Sequence, residues 1–386
     1  MSDELICLSI PNFKGNEKRY VDEAIEAEWV STAGAYIGQF EKNMAAKLGV
    51  ADACACQSGT AGLHLCLRHF NVNAGDIVLV PTLTFIATIN AVMYQGADPV
   101  FFDCTDNLCI DPSQIEAYLS EECREEDGKT VEISSGKTVK AIIPVHVFGD
   151  HCDMVRLMEL AEKYHLYVIE DATESLGGVF EQGQYAGMHT GTVGHAGVFS
   201  FNGNKIITTG GGGMVVSRDQ AAVDHMRYLS QQAKDDVLYF VHEEFGYNYR
   251  MTNLQAALGL AQLEELDQFL EIKRKNFERY CELLRDCSYG KIHPFKYKNV
   301  NYWFYSFKLN EPDAEKRDRL IKYLNDNRIQ VRPIWKLNHT QTPFKGYRAM
   351  DCSNAQYFYD SIINIPCSTN LTEEQMDRVC ALITAF

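Results

Sequence analysis

The sequence predicts an α/β protein with a large domain, built on a mostly parallel sheet flanked by helices, and a smaller C-terminal α+β domain. Three observations predict it. A chain of 386 residues exceeds the ~250–300 residues at which single hydrophobic cores stop growing. Apolar strand-like runs alternate with amphipathic helix-like runs through roughly the first 250 residues, the pattern of parallel strands joined by helical crossovers. Near Gly194 the alternation gives way to short strands and turns, and from about Asn253 to a segment rich in Ala, Leu, Glu and Lys.

Taken in order, the apolar run 51–56 leads through Gln57-Ser58 into a helix over 59–70. Strands are expected at 76–81, 99–102, 141–147 and 166–169, each a short apolar run bounded by turn or helix residues. A helix over 154–164 carries Met154, Leu157, Met158, Ala161 and Tyr164 at helical spacing. Residues 120–140 interrupt the pattern: polar, charged and Gly-containing, with Val131, Ile133 and Val139, they read as an inserted surface hairpin with no chemistry of its own. Strands at 197–201 and 212–217 flank a turn-rich connector that contains Lys205, and a single long helix is expected from Asn253 to near Leu284. The boundary is placed at Ala256, giving domains 1–255 and 256–386.

Composition narrows the function. A formal charge of −16 argues against a nucleic-acid partner, because phosphate backbones need a basic face. There is no run of ~20 apolar residues, and Met1-Ser2-Asp3-Glu4 lacks the basic start of a signal peptide, so a cytoplasmic protein with no membrane partner is expected. The 13 cysteines are odd in number and form no CxxC pair. They read as small buried hydrophobes in a reducing compartment, with no metal site.

Four segments can carry chemistry. Tyr167-Val168-Ile169-Glu170-Asp171 runs from a β-branched strand into acids, and ligands in parallel sheets bind beyond the carboxyl ends of strands. Asp171 is thereby a ligand candidate, although alone it would as readily cap a helix; Glu170 points the other way by alternation. Lys205, between an apolar strand and Ile206-Ile207, suits a desolvated nucleophilic amine, though most lysines taken singly are surface residues. Gln57-Ser58-Gly59-Thr60-Ala61-Gly62 opens a helix and offers free N–H groups and hydroxyls to one phosphate. Pro81 to Thr88 carries Phe85, a ring for stacking or for the core. The combination matters: pyridoxal 5′-phosphate (PLP) needs its phosphate anchored, its ring clamped, its pyridine nitrogen paired with an acid, and its aldehyde joined to an amine as a Schiff base.

These segments, with Trp29-Val30-Ser31, Phe40-Glu41, Glu170-Asp171-Ala172, Ser200-Phe201 and Gly246-Tyr247-Asn248-Tyr249-Arg250 leading into Gln255-Ala256-Ala257, resemble the DegT/DnrJ/EryC1/StrS family of sugar aminotransferases over most of the chain. The resemblance implies the fold-type I PLP architecture, with Lys205 and Asp171 catalytic. It implies that Gly59, Thr60, Ala61 and Ser200 bind the cofactor phosphate region, that Phe85 stacks on the ring, and that Glu174 lies near the 3-hydroxyl. Glu174 stands where many relatives carry Gln and is similar to the perosamine-synthase-like branch. Asn248 is implied to reach the phosphate of a partner subunit, which makes the expected unit a homodimer with shared active sites. Relatives that dehydrate sugars carry His in place of the lysine, whereas this chain retains Lys205.

The stretches 8–17 and 201–209 and the hairpin before Ala141 resemble the aminotransferases of legionaminic acid biosynthesis, with bacillosamine-type enzymes sharing Asn202-Gly203-Asn204-Lys205. The implied substrates are L-glutamate and a nucleotide-linked 2-acetamido-4-keto-2,4,6-trideoxyhexose. Candidate donors to its diphosphate are Arg250, Arg332 and Lys336, with His339 weaker, and for each a solvated surface role is an equal reading. Tyr302, Trp303 and Tyr305 are candidates for apolar contact with the base or sugar, or for the core.

Overall fold

β-Branched and apolar runs with no polar alternation can only be satisfied when both faces of a sheet are covered, and Ile77–Pro81 is buried at every position. The computed structural model describes residues 4–236 and 238–386. Its main sheet holds β1 (Asp52–Cys56), β2 (Ile77–Pro81), β3 (Asp98–Phe102), β4 (Cys123–Glu126), β5 (Lys129–Glu132), β6 (Thr138–Ile142), β7 (Tyr167–Asp171), β8 (Ala196–Ser200) and β9 (Gly213–Ser217). The order is β1-β9-β8-β7-β6-β2-β3. β8, β7, β6, β2 and β3 are mutually parallel, and β9 alone on this path runs against its neighbours β1 and β8. A second sheet of β10 (Gly290–Ile292), β11 (Tyr305–Leu309), β12 (Arg332–Pro333) and β13 (Ile362–Ile365) is antiparallel throughout, in the order β10-β11-β13-β12.

The helices are α1 (Glu17–Glu26), α2 (Ala35–Leu48), α3 (Gly59–His69), α4 (Ala87–Tyr94), α5 (Pro112–Glu121), α6 (Met154–Lys163), α7 (Gln220–Ser230), α8 (Asn253–Glu264), α9 (Leu266–Leu283), α10 (Ala314–Asp326), α11 (Ser353–Ser361) and α12 (Glu373–Ala385). Local sequence starts many of them: the side chains of Ser58, Asp111, Asp153 and Asp219 accept first-turn N–H groups, and Thr252 with Gln255 forms a capping box. Apolar residues of α3, α4 and α7 build one core against the sheet and those of α5 and α6 another. α2 and α8 close a further layer over β1, β8 and β9. No helix among the described residues is long and apolar enough to cross a membrane.

Two sequence expectations need correction. The helix expected from 253 to 284 is two helices broken at Glu265, where Leu266 and Phe269 turn into the core beside α2 and β9. The strand expected over 141–147 ends at Ile142, after which the chain leaves the ladder to place His146 and Phe148. The hairpin expected within 120–140 forms from β4 and β5, and β5 also pairs antiparallel with Thr138 and Val139 of β6, so the hairpin extends the main sheet. Contacts run between the parts of the chain on either side of 255/256. Ile6 exchanges backbone bonds with Arg328 and Gln330 of the C-terminal unit (2.9 and 2.8 Å) and packs in its core. In return, Phe344 packs under the main sheet and Ala349 bridges to Phe101 beside β3.

Candidate active site

β1, β2, β7 and β8 point the same way, so Cys56, Pro81, Asp171 and Ser200 end at one edge of the sheet, where α3 begins. Ser58 caps α3: its hydroxyl accepts the Ala61 N–H at 3.1 Å and its carbonyl the Gly62 N–H at 3.0 Å. The N–H groups of Gly59 and Thr60 keep no protein acceptor among the described residues and stand at the positive end of the helix, a ready anion site. Close packing fixes this helix start. A Cβ on Gly59 would lie 2.8 Å from Thr173 Cγ2 and 3.1 Å from Ser200 Cβ, and one on Gly213 would lie 2.5 Å from the Ser58 carbonyl carbon.

At the end of β7 the two acids diverge, as strand alternation requires. Glu170 accepts from His146 Nε2 at 2.9 Å and from the N–H groups of Gly191, Val193 and Gly194 at 2.8, 2.7 and 2.6 Å, which makes it the anchor of the loop before β8. Asp171 faces the open edge. Its Oδ2 accepts from Thr88 Oγ1 at 2.7 Å and its Oδ1 from the Thr173 N–H at 3.1 Å, so the carboxylate is oriented from both sides.

Glu174 and Lys205 complete the polar set. Glu174 accepts the Phe148 N–H at 2.9 Å, from a residue held at φ +54°. Burial pushes its carboxyl up to about 8, opposed by Lys205 and the Phe148 N–H and reinforced by Asp171. Burial likewise pulls the Lys205 amine down, while Glu174 and Asp171 hold it up. Phe85 stays 53% exposed although it is aromatic, because it faces a cavity of about 350 Å³, a volume in the ~300–1,000 Å³ range of small-molecule sites.

That cavity brings together Gly59, Thr60, Phe85, Asp171, Glu174, Ser200 and Lys205. Ala61 is buried one residue deeper in α3, its N–H taken by Ser58. Asn248 is exposed outside the lining. Arg250, expected near a diphosphate, instead gives both guanidinium nitrogens to Glu41 at 2.5 and 3.2 Å, tying α2 to the segment beside β1. Arg332 and Lys336 are exposed outside the lining, and His339 Nδ1 lies 2.6 Å from Thr82 Oγ1. Tyr302 is half-buried with its hydroxyl on the Lys298 carbonyl, and Tyr305 sits in the C-terminal core.

Sequence reasoning placed no role on Thr88, Asn204, Phe304 or Trp335, all of which line the cavity. Thr88 had a signal: three residues after Phe85, it lies one helical turn away on α4. Asn204 sits next to Lys205, and its Oδ1 is buried with no partner among the described residues. Phe304 and Trp335 come from the C-terminal unit, where nothing in the local pattern marks a residue as facing another domain.

The chain matches the model of the DegT/DnrJ/EryC1/StrS aminotransferase family over residues 11–384. It is 37% identical to EpsN of Bacillus subtilis (strain 168), covering 98% of this chain and 95% of that one. It is also 37% identical to a GDP-perosamine synthase of Caulobacter vibrioides, covering 98% and 97%. A crystal structure of a DegT DnrJ EryC1 StrS aminotransferase from Brucella abortus superposes with a TM-score of 0.86 at 28% identity, over 96% of this chain and 95% of that one.

Proposed function

This chain belongs to the DegT/DnrJ/EryC1/StrS aminotransferase family, and from that membership we propose that it moves an amino group from L-glutamate to C4 of a nucleotide-linked 2-acetamido-4-keto-2,4,6-trideoxyhexose, in legionaminic acid-type or related surface-glycan biosynthesis. It is a PLP-dependent enzyme. The observation that carries the reading is the meeting of Lys205, Asp171 and the α3 N-terminus in one cavity.

The residues present fit the cofactor. The unshared N–H groups of Gly59 and Thr60, with the Ser200 hydroxyl, would hold a phosphate. Asp171, fixed by Thr88 and Thr173, would pair with the pyridine nitrogen, and exposed Phe85 would cover the ring. Glu174 would lie toward the ring's hydroxyl. When bound, PLP supplies the electron sink through which an amino group leaves one carbon and joins another.

The protein's own part is to place a proton carrier and keep water out. Lys205 is the only lysine lining the cavity among the described residues. Its amine would hold the cofactor, and when free it would take the proton from the donor's α-carbon and later return one to C4 of the sugar. The reduced basicity that burial gives it suits both tasks. Phe85, Phe304 and Trp335 line the same cavity, an aromatic wall matched to the apolar face and methyl group of a 6-deoxy sugar.

The nucleotide-sugar assignment draws on the relatives' names, and their GDP-perosamine synthases favour a second reading: a GDP-linked 4-keto-6-deoxyhexose without the acetamido group. Exposed Asn248 supports a homodimer in which it reaches the partner's cofactor phosphate. Purified protein is expected to gain visible absorbance with PLP, and Lys205→Ala to lose it. Glutamate-dependent turnover of a panel of UDP- and GDP-linked 4-keto sugars, with the amino position read by NMR of the product, separates the two readings; no turnover on any of them would exclude both.

A further inference from the structure

Trp303 reaches the site from the C-terminal unit, just ahead of β11. Its ring centroid lies 3.9 Å from Lys205 Nζ, well inside the ~6 Å at which an ammonium is attracted to an aromatic face. The ring is rigidly held. Its indole N–H donates to the Asn204 carbonyl at 2.7 Å, so its position is set relative to the backbone of the residue preceding the lysine. Its own backbone N–H donates to Asn301 Oδ1 at 3.0 Å and to the Phe148 carbonyl at 3.2 Å. Its carbonyl accepts from buried Lys273 Nζ at 2.6 Å. The ring stacks on Phe304 at 4.1 Å and 15°.

Lys205 Nζ, by contrast, has no hydrogen-bond acceptor among the described residues. Its surroundings are the indole face and the charges of Glu174 and Asp171. An amine with three donors and no acceptor is free to swing unless something orients it, and the fixed ring is the group in contact with it.

We propose that the Trp303 indole is the seat of the Lys205 ammonium at those stages of turnover when the amine is not joined to the cofactor, which makes Trp303 a positioning residue for proton transfer. The proposal rests on the cofactor reading above. Two consequences follow from the physics. The π face favours the charged amine and so opposes the desolvation that burial imposes on it. It also keeps Nζ in one place, so that the proton it carries is returned from one direction.

The test reads the lysine directly in the apoprotein. Competitive acetylation across neutral to alkaline pH, followed by mass spectrometry of the peptide carrying Lys205, gives the titration midpoint of its amine. Trp303→Met keeps bulk and removes the ring, and is expected to lower the midpoint by roughly half a unit to one unit, the size of a partly buried cation–π contact. Trp303→Leu is expected to do the same, and Trp303→Phe to fall between them and the native protein. In the PLP-loaded enzyme the same two ring-less variants are expected to shift the alkaline side of the kcat–pH profile downward with KM for the sugar little changed. An unchanged midpoint in whichever of the Met and Leu variants keeps the native Tm overturns the proposal, as does a rise in KM with the midpoint and pH profile unmoved, which would make Trp303 a sugar contact. Failure of the native protein to take up PLP with visible absorbance sinks the cofactor reading instead. Should none of the ring-less variants fold, a Phe variant whose midpoint equals that of the native protein overturns it equally.

Discussion

Asp171 is held by one hydroxyl and one backbone N–H, and the hydroxyl is the replaceable half. Thr88→Val keeps the shape of the side chain and leaves a buried carboxylate oxygen without its donor, at a cost of about 1–3 kcal/mol. Chemical denaturation of the apoprotein is expected to show that loss, and PLP titration a weaker affinity, since the acid is no longer aimed. Glu174 gives a prediction with a sign. Its carboxyl is raised from 4.5 to about 8 in the fold, so the native state keeps a proton that the unfolded chain releases over that interval. The associated stability is complete below the unfolded pKa and is lost as pH rises through the folded one. Glu174→Gln stays neutral, so the Tm of the apo variant is expected to gain on the native protein between about pH 5 and pH 8.5. A gap between the two proteins that stays constant with pH would show that Glu174 is ionised throughout.

At the scale of elements, the N-terminal end of α3 depends on a glycine in another strand. Gly213 opens β9 with its Cα against the Ser58–Gly59 peptide, and an added Cβ would meet the Ser58 carbonyl carbon at 2.5 Å and the Gly59 nitrogen at 2.7 Å, both backbone atoms that cannot step aside. Gly213→Ala is expected to displace the first turn of α3 and weaken PLP binding by at least about tenfold, on the order of 1.4 kcal/mol. Gly203→Ala is the control, because a Cβ there meets nothing within 4 Å. The connector between the strands at 197–201 and 212–217 was legible as turn-rich, but which glycine at its end bears the contact was not, since it depends on β9 lying next to β1. The same limit explains the other gaps. Asp171 and the start of α3 were readable because each joins a strong periodic pattern to a polar cap at a strand end. The break at Glu265 was not, because α8 and α9 both read as continuous helix and only packing of Leu266 and Phe269 separates them. Arg250 looked like a free cation because its partner Glu41 is 209 residues away.

Across the whole molecule, the chain's two ends and two sheets are interlaced, and that interlacing sets how the site loses function. Ile6 is 2% exposed and lies in the C-terminal core, bonded on both sides to the segment that precedes β12. Three residues on, Ser9 Oγ donates to the Asn204 carbonyl at 3.1 Å, beside Lys205. Residues 4–10 therefore strap the smaller sheet to the loop that carries Lys205, and the segment around Arg348, paired with Glu122 and Glu132 of the 120–140 hairpin, straps it back at the far side. Ile6→Ala removes buried methyl groups from a packed site and is expected to cost about 2–5 kcal/mol. If the two units are one cooperative structure, the cost appears everywhere: the denaturation midpoint read by tryptophan fluorescence and the midpoint read by loss of PLP absorbance move down together, by the same amount, with the m-value unchanged. A fluorescence midpoint that falls while the cofactor signal holds would mean that the large unit keeps its site without the small one, and the active site would then have to be assigned to the main sheet alone.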